Sequence, residues 1–199
     1  MPYTLLDPSS AIAMPWKNGG GSTLELAICP AGASLDDFDW RISSASVASS
    51  GAFSRFPGID RSLVVLAGEG LHLQRENGRR ETLSGDGTIA VFGGEEAISA
   101  QLQDGLITDL NLMTRRGAWT HDLQALRLQG EQLVENDAEV LLLWNAAQTA
   151  VRVDAGGVLH DIAAGNGLLV ENEPGPGPLH LQSQRPALLY LGRLNARCR

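Results

Sequence analysis

Cysteine, histidine and clustered positive charge are all in short supply in this 199-residue chain, and each shortage closes off a class of chemistry. Cys29 and Cys198 are its only cysteines, too few for a disulfide framework or a four-thiolate zinc site. The four histidines, His72, His121, His160 and His180, form no i, i+2 or i, i+4 pair of the kind that binds a transition metal. Only Arg79-Arg80 and Arg115-Arg116 are adjacent basic pairs, and the net charge is -8. A nucleic-acid surface needs a positive field, so that partner is not expected. An anion could still bind, but only in a local pocket. The longest apolar stretches, such as 140–144, fall far short of a membrane span. The first 13 residues show no basic segment leading into a long apolar core, so a cytoplasmic protein without membrane contact is expected. Neither a G-x-S-x-G elbow nor a phosphate loop of the G-x4-G-K-[ST] type occurs, and Ser54 has no nearby His and Asp partners in sequence. No catalytic residue is assigned.

The chain does contain many short β-rich runs: 24–29, 40–47, 62–66, 71–74, 88–92, 98–102, 107–112, 140–144, 168–170 and 187–191. Turn dipeptides such as Asn77-Gly78, Asp86-Gly87, Asp104-Gly105, Gly156-Gly157 and Asn166-Gly167 separate them. No long 3.6-residue period appears, apart from a short turn near 8–13. This pattern predicts an all-β sandwich or barrel. The proline-glycine run 174–178 reads as a hairpin loop, too short to be a domain linker.

An internal echo sharpens the architecture. Residues 83–91 read much like 162–170, with 98–102 and 110–112 following the first copy and 179–183 and 189–191 the second. Upstream, 63–66 is matched by 140–143. Agreement in order over several segments predicts a duplicated unit. The joint is expected within 116–123, giving an N-terminal half 1–116 and a C-terminal half 117–199.

Duplicated β-units with a Gly-Asx-Gly turn resemble cupins, whose usual signatures supply two histidines, a glutamate and a third histidine to a metal. Anchoring the first signature on Gly68 puts Arg61 at the glutamate position and Ser54 and Phe56 at the two histidine positions. Anchoring the second on Gly85 puts Glu96 at the remaining histidine position. Arg61 is a permanent cation without an acceptor atom, so neither a metal nor another cofactor is expected. Its planar fork suits a carboxylate instead. Two readings stay open for Arg61: a structural salt bridge with Glu96, or the centre of an anion pocket with Phe56 as an apolar wall.

Other candidates join the pocket reading. Trp16-Lys17-Asn18-Gly19-Gly20-Gly21 brings a cation, an amide and open backbone N–H groups. On the strand 40–47, Arg41 and Ser43 share one face, and Trp40, Ile42 and Ser44 the other. Asn111 faces opposite Leu110 and Leu112, and could point inward or outward.

The runs 15–25, 38–43, 51–58 and 109–113, which read PWKNGGGSTLE, FDWRIS, GAFSRFPG and DLNLM, resemble the HutD/Ves family in the order expected. That resemblance implies a bicupin: two cupin-like jelly-roll β-barrel halves packed together. It also implies a link to bacterial histidine utilisation, as a regulator (a governor of the pathway) that binds formylglutamate, urocanate or a formate-like carboxylate. The Ves branch is tied instead to a cold-inducible protein. A homodimer is left open. The expected ligand set is Arg61, Lys17, Asn18, Arg41, Ser54, Phe56, Glu96 and Asn111. The rival reading is a hydrolase or isomerase with Glu96 as general base. Arg61 beside it would lower the pKa that such a base needs raised, so binding is favoured over catalysis.

Overall fold

The structure is a computed structural model that describes residues 3–16, 20–171 and 177–197. Lys17, Asn18 and residues 174–176 of the proline-glycine run lie outside the described residues. In chain order the strands are β1 (Tyr3–Leu6), β2 (Ala13–Pro15), β3 (Gly21–Cys29), β4 (Trp40–Val47), β5 (Gly51–Ala52) and β6 (Ile59–Ala67). Next come β7 (Leu71–Arg75), β8 (Arg80–Leu83), β9 (Ala90–Gly93), β10 (Ile98–Leu102), β11 (Ile107–Arg115) and β12 (Trp119–Val134). The last are β13 (Val140–Asn145), β14 (Val151–Ala155), β15 (Val158–Ile162), β16 (Gly167–Glu171) and β17 (Leu179–Ala196). A single 3-10 turn, Pro8–Ser10, is the only helical element among the described residues, where the sequence predicts a short turn. Among the described residues no helix is long and apolar enough to cross a membrane.

The chain divides into two compact units, Ser9–Thr120 and the combination of Met1–Pro8 with His121–Cys198. The expected boundary at 116/117 is therefore corrected at both ends. β12 begins at Trp119, and the first residues belong with the C-terminal unit because β1 pairs with β16 from Tyr3↔Val170 to Leu6↔Gly167. A strand at the chain start finds its ladder far away in sequence, which local patterning does not reveal.

In the N-terminal unit a six-stranded sheet, β2-β3-β4-β11-β6-β9, faces a four-stranded sheet, β5-β10-β7-β8. Alternation decides what lies between them. Ala45, Val47, Leu63, Val65, Ala90 and Phe92 of the larger sheet pack with Leu71, Leu73, Leu83, Ile98 and Ala100 of the smaller one. The C-terminal unit is built on β1-β16-β13-β17-β14-β15, with β12 also paired to β17. Its core is almost wholly aliphatic, including Leu141, Leu143, Val151, Val153, Leu181, Leu189 and Leu191.

The echo in sequence is an echo in topology. The ladders β6–β9, β7–β8, β7–β10 and β6–β11 recur as β13–β16, β14–β15, β14–β17 and β13–β17. The two Gly-Asx-Gly turns join equivalent strands, β8 to β9 and β15 to β16. Their glycines differ in duty. Gly87 has the positive φ (101°) its turn demands, whereas in the second copy that role falls to Gly165 (76°) rather than Gly167. Gly167 is a strand residue, and a Cβ there would meet the Trp144 ring at 2.7 Å.

The β6–β7 connection brings two backbone segments close together at a glycine. Gly70 has φ 106°, and a Cβ on it would collide with the Leu83 carbonyl oxygen. Gly78 has a similar φ (84°) but open space around it. Gly70→Ala should lower stability by more than the ~1–3 kcal/mol that a positive φ alone costs, and Gly78→Ala by no more than that. Urea unfolding of the two variants checks the order; equal losses would mean that the β6–β7 turn yields without strain.

Candidate functional site

The inward-facing rows of three neighbouring strands turn polar at one end. On β4 the row is Arg41, Ser43, Ala45 and Val47; on β6 it is Arg61, Leu63 and Val65; on β11 it is Asp109, Asn111 and Met113. These polar residues line a cavity of about 570 Å³ inside the N-terminal unit. Its walls are otherwise largely apolar, with Trp16, Leu35, Phe53 and Phe56 among them. Trp16 is braced by donating Nε1–H to Thr23 Oγ1 at 2.8 Å.

Arg61 is the central cation and is only 4% exposed. Its guanidinium carbon lies 5.4, 5.3 and 5.0 Å from the ring centres of Phe53, Phe56 and Phe92. Three of the four phenylalanines in the chain thus surround one charge. Each such contact contributes about 0.5–2 kcal/mol when desolvated, and only a flat cation fits several rings at once. Nε–H donates to Asn111 Oδ1 at 3.5 Å, and Nη1 donates to the Ser54 carbonyl at 3.2 Å. The Nη2 donors have no protein acceptor among the described residues. Burial pulls the guanidinium down to about 10, with Asp109 acting against that and Arg41 adding to it.

Asp109 is the one carboxylate in the lining and is 2% exposed. Its Oδ1 accepts the Ala45 N–H at 3.1 Å. Burial pushes its carboxyl up to about 7, against the opposing influences of the Ala45 N–H and the Arg61 charge. The β6–β11 ladder carries a bulge at Thr108/Asp109, the kind of irregularity that re-aims a side chain. A second bulge, between Glu25 and Ala27 of β3, accompanies the other arginine. Arg41 Nε donates to Glu25 Oε2 at 2.8 Å, and Nη1 to Ser43 Oγ at 3.3 Å. Arg41 is therefore already neutralised, while Arg61 has no ion-pair partner in contact.

Of the eight sequence-based candidates, Arg61, Arg41, Ser54, Phe56 and Asn111 meet around the cavity. Ser54 contributes its main-chain carbonyl to Arg61, so its hydroxyl is not what holds the cation. Asn111 points inward, while Leu110 and Leu112 on the opposite face are fully buried. Glu96 is a correction. It accepts from Arg75 Nη1 at 2.9 Å and from the Gly93 N–H at 2.8 Å, and it is not part of the lining. It sits on the β9–β10 turn, where a carboxylate can close the turn and reach Arg75 of β7. The Arg61–Glu96 salt bridge and the Glu96 general base are both removed. Lys17 and Asn18 are not described; Trp16 and Thr23 line the cavity.

The sequence reading missed Asp109, Phe53 and Phe92. Asp109 stood within a quoted motif, and its period-two relation to Asn111 was the available signal. Phe92 needs the β6–β9 register, Arg61↔Phe92, to be seen.

The cupin architecture raises the question of a metal. Among the described residues, the ionisable and amide side chains lining the cavity are two guanidiniums, one amide and one carboxylate, and no histidine is among them. Among the described residues no group of three or more His, Cys, Asp or Glu could hold one ion. A divalent cation beside Arg61 would meet like charge and too few ligands, so the residues present do not fit it.

A HutD family model matches residues 9–190. The chain belongs to the HutD family. An uncharacterized 21.2 kDa protein in the hutC 3′ region of Pseudomonas putida is 37% identical over 144 residues, 72% of this chain and 73% of that protein. Protein Ves of Escherichia fergusonii is 41% identical over 101 residues, 50% of this chain and 51% of its own. The chain thus spans about half the length of the Ves relatives it matches. Among solved structures, a conserved protein of unknown function from Pseudomonas aeruginosa PAO1 superposes with a TM-score of 0.90 at 33% identity, over 98% of this chain and 100% of that one. HutD from Pseudomonas fluorescens SBW25, solved in a formate condition, gives 0.84 at 28% identity, over 99% and 100%. Salicylate 1,2-dioxygenase from Pseudoaminobacter salicylatoxidans, at 9% identity, TM-score 0.64 and 100% and 86% coverage, shares the fold alone. The HutD-family chain is thus a bicupin, as its residues 15–113 imply.

The buried carboxyl gives a pH signature. Folded Asp109 keeps its proton up to about 7, whereas an unfolded Asp releases it near ~4. Between those values the folded state binds more protons, so this residue's contribution is complete below ~4 and is lost as pH rises through about 7. The slope is about 1.4 kcal/mol per pH unit at most. Urea unfolding at pH 5, 6, 7 and 8 should show Asp109→Asn gaining stability relative to the wild type as pH rises. A difference independent of pH would mean that Asp109 does not titrate in this window.

Proposed function

We infer that this protein is a metal-independent binder of a small carboxylate, acting as a regulatory protein of histidine utilisation, with formylglutamate and urocanate as the first ligands to test. The observation that carries the reading is the Arg61 guanidinium: buried, framed by three aromatic rings, and open on its Nη2 side in a cavity large enough for such a molecule. A bidentate carboxylate is the partner that this fork lacks. The apolar walls would take the body of the ligand, and Asn111 would hold the fork in plane. The relative in the hutC 3′ region and the HutD structure solved in a formate condition support the choice of ligand class.

A second reading rests on Asp109. A carboxyl raised to about 7 is what general acid–base chemistry uses, so an enzymatic role would fall to Asp109 rather than Glu96. Incubating the protein with formylglutamate and with urocanate, and following product by chromatography, separates the two: turnover supports the enzyme, unchanged ligand the binder.

The binding reading predicts a thermal shift. Ligand at about a hundred times its Kd adds ~2.7 kcal/mol of stability. Arg61→Ala should weaken binding roughly ten- to a hundredfold, in line with the ~1.5–3 kcal/mol of a hydrogen bond to a charged group. Arg61→Lys should recover only part, because an ammonium neither forks nor stacks on the rings. If formylglutamate, urocanate and formate all leave the wild-type melt unmoved, the anion pocket is wrong.

A further inference from the structure

The two units differ at the residues that matter. A constant shift of 80 residues carries the β6–β11 ladder onto the β13–β17 ladder: Arg61↔Met113 onto Leu141↔Arg193, and Leu63↔Asn111 onto Leu143↔Leu191. The same shift carries Asp109 onto Leu189. Leu141, Leu189 and Leu191 are all buried in the C-terminal core. The barrel therefore has no architectural need for a carboxylate, a guanidinium or an amide at these places. Burying a carboxylate without an ion pair is costly, and in the N-terminal unit the only acidic side chain in the lining is kept at that cost.

The charges facing Asp109 are few. Among the described residues that line the cavity, only Arg61 on β6 and Arg41 on β4 are charged besides Asp109 itself, and Arg41 is held by Glu25 on β3. β4 otherwise presents Ala45, whose N–H binds Oδ1, and Ser44, whose hydroxyl donates to the Asp109 main-chain carbonyl. β6 presents Val65 opposite Asp109. No described donor reaches Oδ2. The ionised form of Asp109 thus depends on Arg61 for its favourable charge.

We propose that Asp109 takes up a proton when an anion enters the cavity, so that the site binds a carboxylate together with a proton. This rests on the carboxylate-binding reading. An incoming carboxylate neutralises Arg61, and so removes the charge that supports ionised Asp109. It also sets a second negative charge beside a buried first one, and two neighbouring carboxylates share a site by holding one proton between them. Protonated Asp109 becomes a donor, and its Oδ2 side can then contribute a hydrogen bond to the ligand instead of repelling it. Asp109 is in this way a specificity residue: it favours an acceptor next to the anion and makes affinity follow pH. The C-terminal unit has a buried leucine, Leu189, at the matching place and so no carboxyl there.

Isothermal titration in two buffers of different ionisation heat, with formylglutamate and with formate, counts the protons taken up. Neither probe titrates between pH 6 and 9. The expected result is an uptake of close to one proton at pH 8, falling toward zero below pH 6, and a Kd that weakens by about tenfold per pH unit above about 7. Asp109→Asn, whose amide imitates the protonated acid, should bind without proton uptake and with a flat profile, tighter than the wild type at pH 8. Binding with no proton uptake at pH 8 overturns the role of Asp109 and leaves the carboxylate reading standing. Absence of binding to either probe at every pH overturns both. Because the proton count is read on the wild type, a variant that fails to fold does not remove the test.

Discussion

A guanidinium held inside a β-barrel has to be compensated from every side, and the arrangement of the N-terminal unit follows from that requirement at Arg61. Three rings supply a negative face, an amide and a main-chain carbonyl accept two of the five N–H groups, and a buried carboxyl stands nearby without pairing. These partners come from β9, β11 and the segment after β5, so the cation on β6 ties the larger sheet to the loop that follows β5. Such compensation is incomplete by one side of the fork, and the incomplete side opens on the cavity. In a protein interior an unfinished network is a liability unless something arrives to finish it.

The second half of the chain shows the same ladders without the liability. It has leucine, Leu141, Leu189 and Leu191, where the first half has arginine, aspartate and asparagine. Duplication has thus produced two units with the same ladders and different interiors. Aliphatic packing stabilises the C-terminal copy through burial, whereas the N-terminal copy gives up apolar contacts for a set of directed polar ones. On the proposed binding reading, that difference is what would let a small acidic protein take an anion: a shielded cation is enough when water and competing carboxylates are kept away from it.

The other charged groups are disposed so that they do not compete for Arg61. Glu25 is used by Arg41, and Glu81 and Glu96 by Arg75. Glu95 and Asp60 are taken up by Arg116 at the surface. Had Glu96 reached Arg61, the fork would be satisfied internally and the cavity would have no electrostatic reason to take a ligand. Its engagement with Arg75, on the far side of Phe92, keeps the two cations separate, with that ring 5.0 Å from one and 5.7 Å from the other.

The all-β class, the duplication and the cavity strands were legible in the sequence because alternation, turn dipeptides and repeated order are local signals. Arg61 could be picked out because a permanent cation in an apolar strand demands a partner, and Arg41 and Asn111 because a period of two places each opposite a buried face. Partner choice was not legible. Which carboxylate meets which arginine depends on ladder register and turn geometry, across 16 residues for Arg41 and Glu25, 21 for Arg75 and Glu96 and 56 for Arg116 and Asp60, and two bulges shift that register at Glu25 and Asp109. Chain order likewise gave no sign that Tyr3–Leu6 would complete the C-terminal unit, since antiparallel pairing depends on geometry in space and not on distance along the chain. Sequence by itself determined which side chains are too costly to bury alone; only the tertiary structure decided which of them meet, because pairing is settled by register and packing between distant strands.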